Sequence, residues 1–170
     1  MRKKVVMLGE MAVGKTSIVR RLTLDRFDGS YKGTIGHDIF VYKLSGLGPN
    51  QDQELDLAIF DTDGGLGAKL FQDNVAVRGA TAAIIVGDVT RARTVATMAA
   101  LAHQCDEHLP GAHVHFLLNK IDLLGTVDAA AVPAELAAFS HPIEKTSAET
   151  GLHVRKAFID AANAVLRRGL

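Results

Sequence analysis

A lysine and a threonine close a glycine-containing run near the start of the chain. Residues 9–16 read GEMAVGKT, which matches the spacing G-x-x-x-x-G-K-[ST]. Glycines let the backbone curl so that successive N–H groups face phosphate oxygens. Lys15 would then bridge the β- and γ-phosphates of a nucleotide, and the Thr16 hydroxyl would ligate Mg²⁺. The run therefore predicts a phosphate-binding loop, but it fixes neither the base nor the reaction.

A carboxylate and a glycine follow a later apolar run, in the segment FDTDGG. Asp61 would hold Mg²⁺ through a water molecule. Gly64, three residues further on, has no Cβ to keep its N–H from the γ-phosphate. An Asp-x-x-Gly segment is by itself commonly only a turn.

Two further segments would recognise a base. In LLNKID, the Asp122 carboxylate would accept two N–H donors from guanine, and adenine presents no such pair. Asn119 would tie this loop to the phosphate loop or to the base, and the Lys120 stem would lie over the ring. The alternative is that Asn119 or Asp122 only caps a helix. In residues 146–148 (TSA), a backbone N–H would meet the guanine oxygen.

Two residues between the first helix and the next strand complete the candidates. Thr34, flanked by glycines, would be a second Mg²⁺ ligand, and Phe27 would sit edge-on against the base. The alternatives are a surface hydroxyl for Thr34 and a core aromatic for Phe27.

Strand-like and helix-like segments alternate along the chain and would position these residues. Strands are predicted at 3–9, 37–46, 53–61, 81–88, 113–120 and within 141–148, and the second and third form a hairpin. Helices are predicted at 15–27, 91–109, 128–139 and 151–168. This order predicts an α/β domain with a mostly parallel sheet. Ligands of such sheets bind beyond the carboxyl ends of the strands, where the candidate residues fall.

Composition excludes several classes of function. The chain has 170 residues and a net charge of zero, which predicts one domain over 1–170 and no nucleic-acid partner. No apolar run reaches the roughly 18 to 20 residues of a bilayer span. The single cysteine, Cys105, is predicted to pack as a small apolar residue. The histidines make no metal site, and His113 and His115 are predicted on an outer or rim face.

Taken together, these segments resemble those of the Ras-like small GTPases, most closely the Rab-type branch, over essentially the whole chain. The resemblance implies the G-domain fold of the P-loop NTPases. Its sheet is six-stranded and mostly parallel, with one antiparallel hairpin strand and helices on both faces. It implies binding of GTP or GDP with Mg²⁺, and GTP hydrolysis in which Lys15, Thr34 and Gly64 act. Thr16, Thr34 and, through water, Asp61 would hold the metal. The nucleotide would contact Glu10, Met11, Ala12, Val13, Gly14, Lys15, Thr16, Ser17, Phe27, Thr34, Gly64, Asn119, Lys120, Asp122, Leu123, Ser147, Ala148 and Glu149.

Two positions depart from the family pattern. Gly65 stands where the family has the glutamine that orients the attacking water. Met11 stands where the family prefers a small residue, and its side chain would obstruct an arginine arriving from an activating protein. Both predict weak intrinsic hydrolysis. The alternatives are an interaction module that binds GTP without useful hydrolysis and, less favoured, a P-loop kinase of a small substrate.

Partners are predicted only by class. An exchange factor, an activating protein and effectors are expected, but the interswitch aromatics of relatives are replaced here by Phe60, Ala76 and Val77, so known partners are not carried over. The terminal residues AVLRRGL contain no cysteine, which predicts no lipid anchor and a cytoplasmic protein. The sequence predicts no oligomeric state.

Overall fold

The computed structural model describes residues 1–27, 36–64, 71, 75–125 and 131–169. Its strands are β1 (Arg2–Leu8), β2 (His37–Leu47), β3 (Gln53–Thr62), β4 (Ala82–Asp88), β5 (His113–Asn119) and β6 (Ile143–Lys145). Its helices are α1 (Lys15–Leu24), α2 (Ala92–His108), α3 (Ala134–Ala137) and α4 (Val154–Arg167), with a short 3₁₀ helix at Ile121–Leu124. Among these residues, no helix has the length and apolar character that a bilayer span requires.

The six strands form one sheet in the order β2-β3-β1-β4-β5-β6. β2 and β3 are antiparallel, and all other neighbours are parallel. From β1 the chain builds the sheet outward on one side through β3 and on the other through β4. This reversal places the loops after β1 and β4 at the edge where α/β sheets bind ligands. The predicted six-stranded sheet with one antiparallel hairpin strand is confirmed.

Side chains alternate between two cores, one on each face of the sheet. The first core joins β1, β3, β4 and β5 to α1 and α4 and includes Val5, Met7, Ile18, Ile59, Ile84, Leu117 and Phe158. The second joins β1, β4 and β5 to α2 and includes Val6, Leu8, Ile85, Met98, Cys105 and Phe116. Helices on both faces are thus confirmed. Parallel strands covered on both faces need continuous apolar runs, such as residues 82–86 of β4.

Cys105 is fully buried in the second core, as its predicted role as a packed residue requires. Burial, with a smaller contribution from Asp106, raises the pKa of its thiol to about 12. The thiol is therefore un-ionised and unreactive while the protein is folded.

The predicted exposed position of His113 and His115 is wrong. Every residue of β5 is buried, and the alternating positions His113, His115 and Leu117 face the first core. A strand covered by helices on both faces has no outer face to offer a histidine. Burial lowers the pKa of each to about 4, assisted by the positive charge of Arg168 at His113 and by His113 itself at His115. Both rings are therefore neutral at pH 7.

Helix ends differ from the predicted bounds for local reasons. α1 ends at Leu24 because Asp25 adopts a left-handed conformation, with φ 49°. Of the helix predicted around Pro133, the described residues show only α3, which Pro133 precedes as the capping residue. Proline fits such a boundary because its ring fixes φ and it has no N–H to donate. Residues 128–130 of that prediction lie outside the described residues.

Candidate functional site

Residues 9–14, called the phosphate loop after its predicted role, connect β1 to α1 through unusual backbone conformations. Gly14 caps α1 with φ 102°, and Ala12 also has a positive φ of 62°. A Cβ on Gly14 would overlap the side-chain amide of Asn119. Both the dihedral angle and the available space therefore require glycine at position 14.

Lys15 is buried and points back into the curl of the phosphate loop. Its Nζ donates to the carbonyl oxygens of Gly9 and Glu10, each at 2.9 Å. Burial lowers the pKa of Lys15 to about 8, and the nearby carboxylates of Asp61 and Asp63 oppose that shift. An ammonium group with so little hydration would gain from an anion beside it.

Thr16 and Asp61 bring a hydroxyl and a carboxylate together at the first turn of α1. Thr16 Oγ1 donates to Asp61 Oδ2. Asp61 is fully buried, and no group among the described residues hydrogen-bonds its Oδ1. Burial raises the pKa of Asp61 to about 6 against the opposing effects of Thr16 and Lys15. Oxygen donors of this kind, with one buried carboxylate oxygen unsatisfied, fit a Mg²⁺ ion.

Gly64 lies directly against the phosphate loop. A Cβ on Gly64 would overlap the backbone of Glu10 and Met11, so only glycine permits this approach. The Met11 side chain itself is 60% exposed at the same place. Gly65 and Thr34, two of the residues singled out in the sequence, lie outside the described residues.

Asn119, the last residue of β5, joins three loops through one buried side-chain amide. Its Nδ2 donates to Val13 O at 2.9 Å. Its Oδ1 accepts from Ala148 N at 3.2 Å and from Thr146 Oγ1 at 3.3 Å. The loops after β1, β5 and β6 are therefore held in fixed relative positions.

Residues of the two predicted base-binding segments lie beside this amide. Asp122 is half-buried and Leu123 exposed in the 3₁₀ helix that follows β5. Ser147 and Ala148 are buried, and Ser147 Oγ accepts from Thr150 N at 3.0 Å. Arg21 reaches from α1 to the next carbonyls, donating to Ala148 O at 2.9 Å and also to Glu149 O.

The remaining candidates lie at the two ends of α1. Ser17 is half-buried in its first turn, one residue after Thr16. Phe27 lies two residues beyond the left-handed Asp25 and is 40% exposed, so it is not a core residue. The structure thus brings the loops after β1, β3, β5 and β6 together and places Phe27 at the far end of α1.

Sequence reasoning missed a group of charged residues at the end of β4. Asp88 is buried and forms ion pairs with Arg91 and Lys120. On α2, Thr97 Oγ1 donates to Glu10 Oε1 at 2.5 Å, and Arg93 Nε lies 3.4 Å from the same oxygen. The signal available in the sequence was an aspartate that ends a buried strand at the edge where the other candidates also fall.

Comparison with known proteins gives concordant matches over nearly the whole chain. The sequence model described as "Ras family" matches residues 4–167. Ras-related protein Rab-10 of Caenorhabditis elegans is 30% identical over 168 residues, which span 97% of this chain and 81% of that protein. The chain is therefore similar to these proteins through all of the loops just described.

Proposed function

Because the chain belongs to the Ras family of small GTPases, we propose that it is a guanine-nucleotide switch that binds GTP and GDP with Mg²⁺ and hydrolyses GTP slowly. The observation that carries this proposal is the position of Asn119. Its amide holds the loop with the phosphate-binding spacing against both segments that carry guanine-type residues. A purine nucleotide needs these elements at one site.

The phosphate loop would bind the phosphates of the nucleotide. Its N–H groups and the N-terminus of α1 favour an anion, and Lys15 adds a buried positive charge. The backbone of residues Glu10 to Gly14 and the hydroxyls of Thr16 and Ser17 would surround the phosphates. The N–H of Gly64, already against the loop, would contact the γ-phosphate.

Thr16 and Asp61 would hold Mg²⁺, the latter through water, with Thr34 completing the set. The ion would supply neutralisation of charge on the β- and γ-phosphates. The unpartnered Oδ1 of Asp61 supports this assignment.

Guanine would be bound by the two loops that Asn119 joins. Asp122 would accept two N–H groups of the base, and the backbone of Ser147, Ala148 and Glu149 would line its oxygen edge. Lys120, Leu123 and Phe27 would cover the ring. Because a buried carboxylate left without donors is unfavourable, Asp122 would select guanine over adenine.

Slow hydrolysis would follow from the residues at two positions, 65 and 11. Gly65 cannot orient the attacking water, although Lys15, the loop amides and the metal ligands retain their electrostatic contribution. The exposed Met11 side chain would obstruct an arginine arriving from an activating protein. Turnover would therefore depend on a partner that supplies the water-positioning group.

Calorimetry on protein stripped of nucleotide tests the binding part of this proposal. GTP and GDP should bind in the presence of Mg²⁺, and ATP should bind at least about a hundredfold more weakly. Equal affinity for GTP and ATP would contradict the guanine site.

Single-turnover hydrolysis of bound GTP tests the catalytic part. The pure protein should hydrolyse GTP more slowly than a Ras-family protein that carries the glutamine. GDP recovered with the purified protein would support turnover. GTP recovered instead would favour an interaction module without useful hydrolysis, for which the glycine at position 65 is the supporting observation.

A further inference from the structure

Asp88, the last residue of β4, holds two positively charged side chains in place. Its side chain is 2% exposed, and its Oδ2 lies 2.7 Å from Lys120 Nζ and 3.1 Å from Arg91 Nε. Its Oδ1 accepts from Thr90 N at 3.0 Å and from Thr90 Oγ1 at 2.6 Å. Both carboxylate oxygens therefore have partners. The contacts with Thr90, in the loop that precedes α2, fix the orientation of the carboxylate.

The two cations that Asp88 holds reach consecutive carbonyls of the phosphate loop. Lys120 Nζ donates to Ala12 O at 2.9 Å, and Arg91 Nη2 donates to Met11 O at 3.0 Å. Lys120 comes from the loop after β5, and Arg91 directly precedes α2. Asp88 thus links the phosphate loop to two other loops at once.

Holding these carbonyls sets the direction of the neighbouring amides. In a trans peptide, the C=O of one residue and the N–H of the next point in opposite directions. Cations that fix Met11 O and Ala12 O therefore turn the N–H groups of Ala12 and Val13 to the opposite side of the loop. A loop that binds phosphate depends on such aligned N–H groups.

Ionisation of Asp88 maintains this arrangement. Burial opposes the charged form, but hydrogen bonds from Lys120 and Thr90 outweigh burial, so the pKa of Asp88 lies below its ordinary value. The contact of Glu10 with Thr97 and Arg93 adds a further tie between the same loop and α2.

We propose that Asp88 is a positioning residue for the phosphates of the nucleotide, acting through Arg91 and Lys120 on the peptide groups of Met11 and Ala12. This inference rests on the proposed function, because it concerns the affinity of the same site. Neutralising Asp88 would release both cations and allow the two peptides to rotate, so that phosphate affinity falls.

Variants Asp88→Asn and Arg91→Gln test the inference, with GDP binding in Mg²⁺ measured by calorimetry on stripped protein. We expect each to weaken GDP binding about tenfold, as loss of one charge-assisted contact does. The double variant should bind GDP no more weakly than Asp88→Asn alone, because Arg91 holds the Met11 carbonyl only while Asp88 holds Arg91 in place. A purely structural role would lower the unfolding temperature of the variants but leave their GDP affinity unchanged. The non-additive effect on GDP binding would then not be seen.

Arg168→Gln is the matched control. Arg168 also donates to two backbone carbonyls, of Gly111 at 3.1 Å and Ala112 at 3.2 Å, and among the described residues it hydrogen-bonds none of the site. It should bind GDP like the unmodified protein. A loss equal to that of Arg91→Gln would overturn the inference, since it would reflect removal of any arginine.

The outcomes separate the inference from the proposed function. If the unmodified protein fails to bind GDP, both fall. If it binds GDP and the Asp88 and Arg91 variants bind equally well, the inference alone is overturned. If Asp88→Asn does not fold, Arg91→Gln decides, because the Arg91 side chain is 41% exposed and its replacement leaves the core intact.

Discussion

At the scale of single residues, Asn119 shows how one side chain can fix several loops. Its amide is buried, and its nitrogen and oxygen contact the loops after β1 and β6. A buried hydrogen bond that loses one partner leaves the other partner unsatisfied. The side chain would therefore stabilise the fold and the proposed nucleotide site by the same contacts.

We expect Asn119→Ala to lower the free energy of unfolding by about 1–3 kcal/mol, because Val13 O and Ala148 N would be left without a partner. Nucleotide binding should weaken as well, since the phosphate and base segments would no longer be joined. Denaturant unfolding and GDP calorimetry measure the two effects.

Asn163→Ala is the control for that change. Asn163 Oδ1 accepts from Gly48 N at 2.9 Å, in a contact between α4 and the loop after β2. Its loss should affect stability but leave GDP affinity unchanged. Equal GDP affinity in the Asn119 variant would show that the three-loop contact does not serve binding.

Gly65→Gln should accelerate single-turnover hydrolysis of GTP by about 10- to 100-fold, the range in which a correctly placed group acts. The reason is that an amide at position 65 can orient the attacking water. Gly67→Gln, two residues further along, controls for the loss of a glycine from the same segment. Unchanged hydrolysis in Gly65→Gln would show that the missing amide is not what limits the rate.

The sequence predicted those residues whose spacing is fixed by ligand chemistry. A run such as GEMAVGKT specifies its own geometry, because in the proposed site its glycines and its lysine would approach the same phosphates. Asp88 and Arg91 carry no such spacing. Their role depends on where Lys120 and the Met11 carbonyl lie, and only the folded chain brings these together.

At the scale of elements, α1 contacts both ends of the proposed nucleotide site. Its first turn carries Lys15 and Thr16, and Arg21 near its other end donates to Ala148 O and Glu149 O. One rigid helix therefore sets the distance between the phosphate loop and the loop after β6.

Arg21→Ala should increase the rate of GDP release about tenfold, because the carbonyls of Ala148 and Glu149 would lose their donor and the loop would move more freely. Displacement of a fluorescent GDP analogue measures this rate. Arg155→Ala, an exposed arginine on α4, should release GDP at the unmodified rate. If both variants release GDP equally fast, the helix does not constrain the base segment.

Element type was easier to predict than environment. The alternating residues of 37–46 and 53–61 predicted the hairpin that β2 and β3 form. The alternation of His113 and His115 predicts an outer face from polarity alone, and that prediction is wrong. β5 lies between β4 and β6, with helices on both faces of the sheet. Two neutral imidazoles can therefore be accommodated on the face of β5 that packs against the first core.

At the scale of the whole molecule, the two buried histidines predict loss of stability in acid. Unfolded histidines titrate near pH 6.5, whereas burial lowers the pKa of His113 and His115 to about 4. Between these values the unfolded chain binds more protons than the folded one. The contribution of the two histidines to the free energy of unfolding is therefore complete above pH 6.5 and is lost as the pH drops toward 4. Asp61 acts in the opposite direction because its pKa is raised to about 6.

We expect a net loss of about 2 kcal/mol for the nucleotide-free protein between pH 7 and pH 5, measured by denaturant unfolding. His115→Leu removes one of the two groups and should flatten this dependence. A free energy of unfolding that stays constant over the interval, or rises toward pH 5, would show that the histidines are not held neutral.

The position of the lone sulfhydryl in the second core has a practical consequence for experiments. Cys105 is the single cysteine of the chain, and its thiol is both enclosed and un-ionised. Reagents can modify it only when the domain opens, so its labelling rate reports how often that happens. A cysteine introduced on the surface would meanwhile be the preferred attachment point for a fluorophore, with no need to remove the native one.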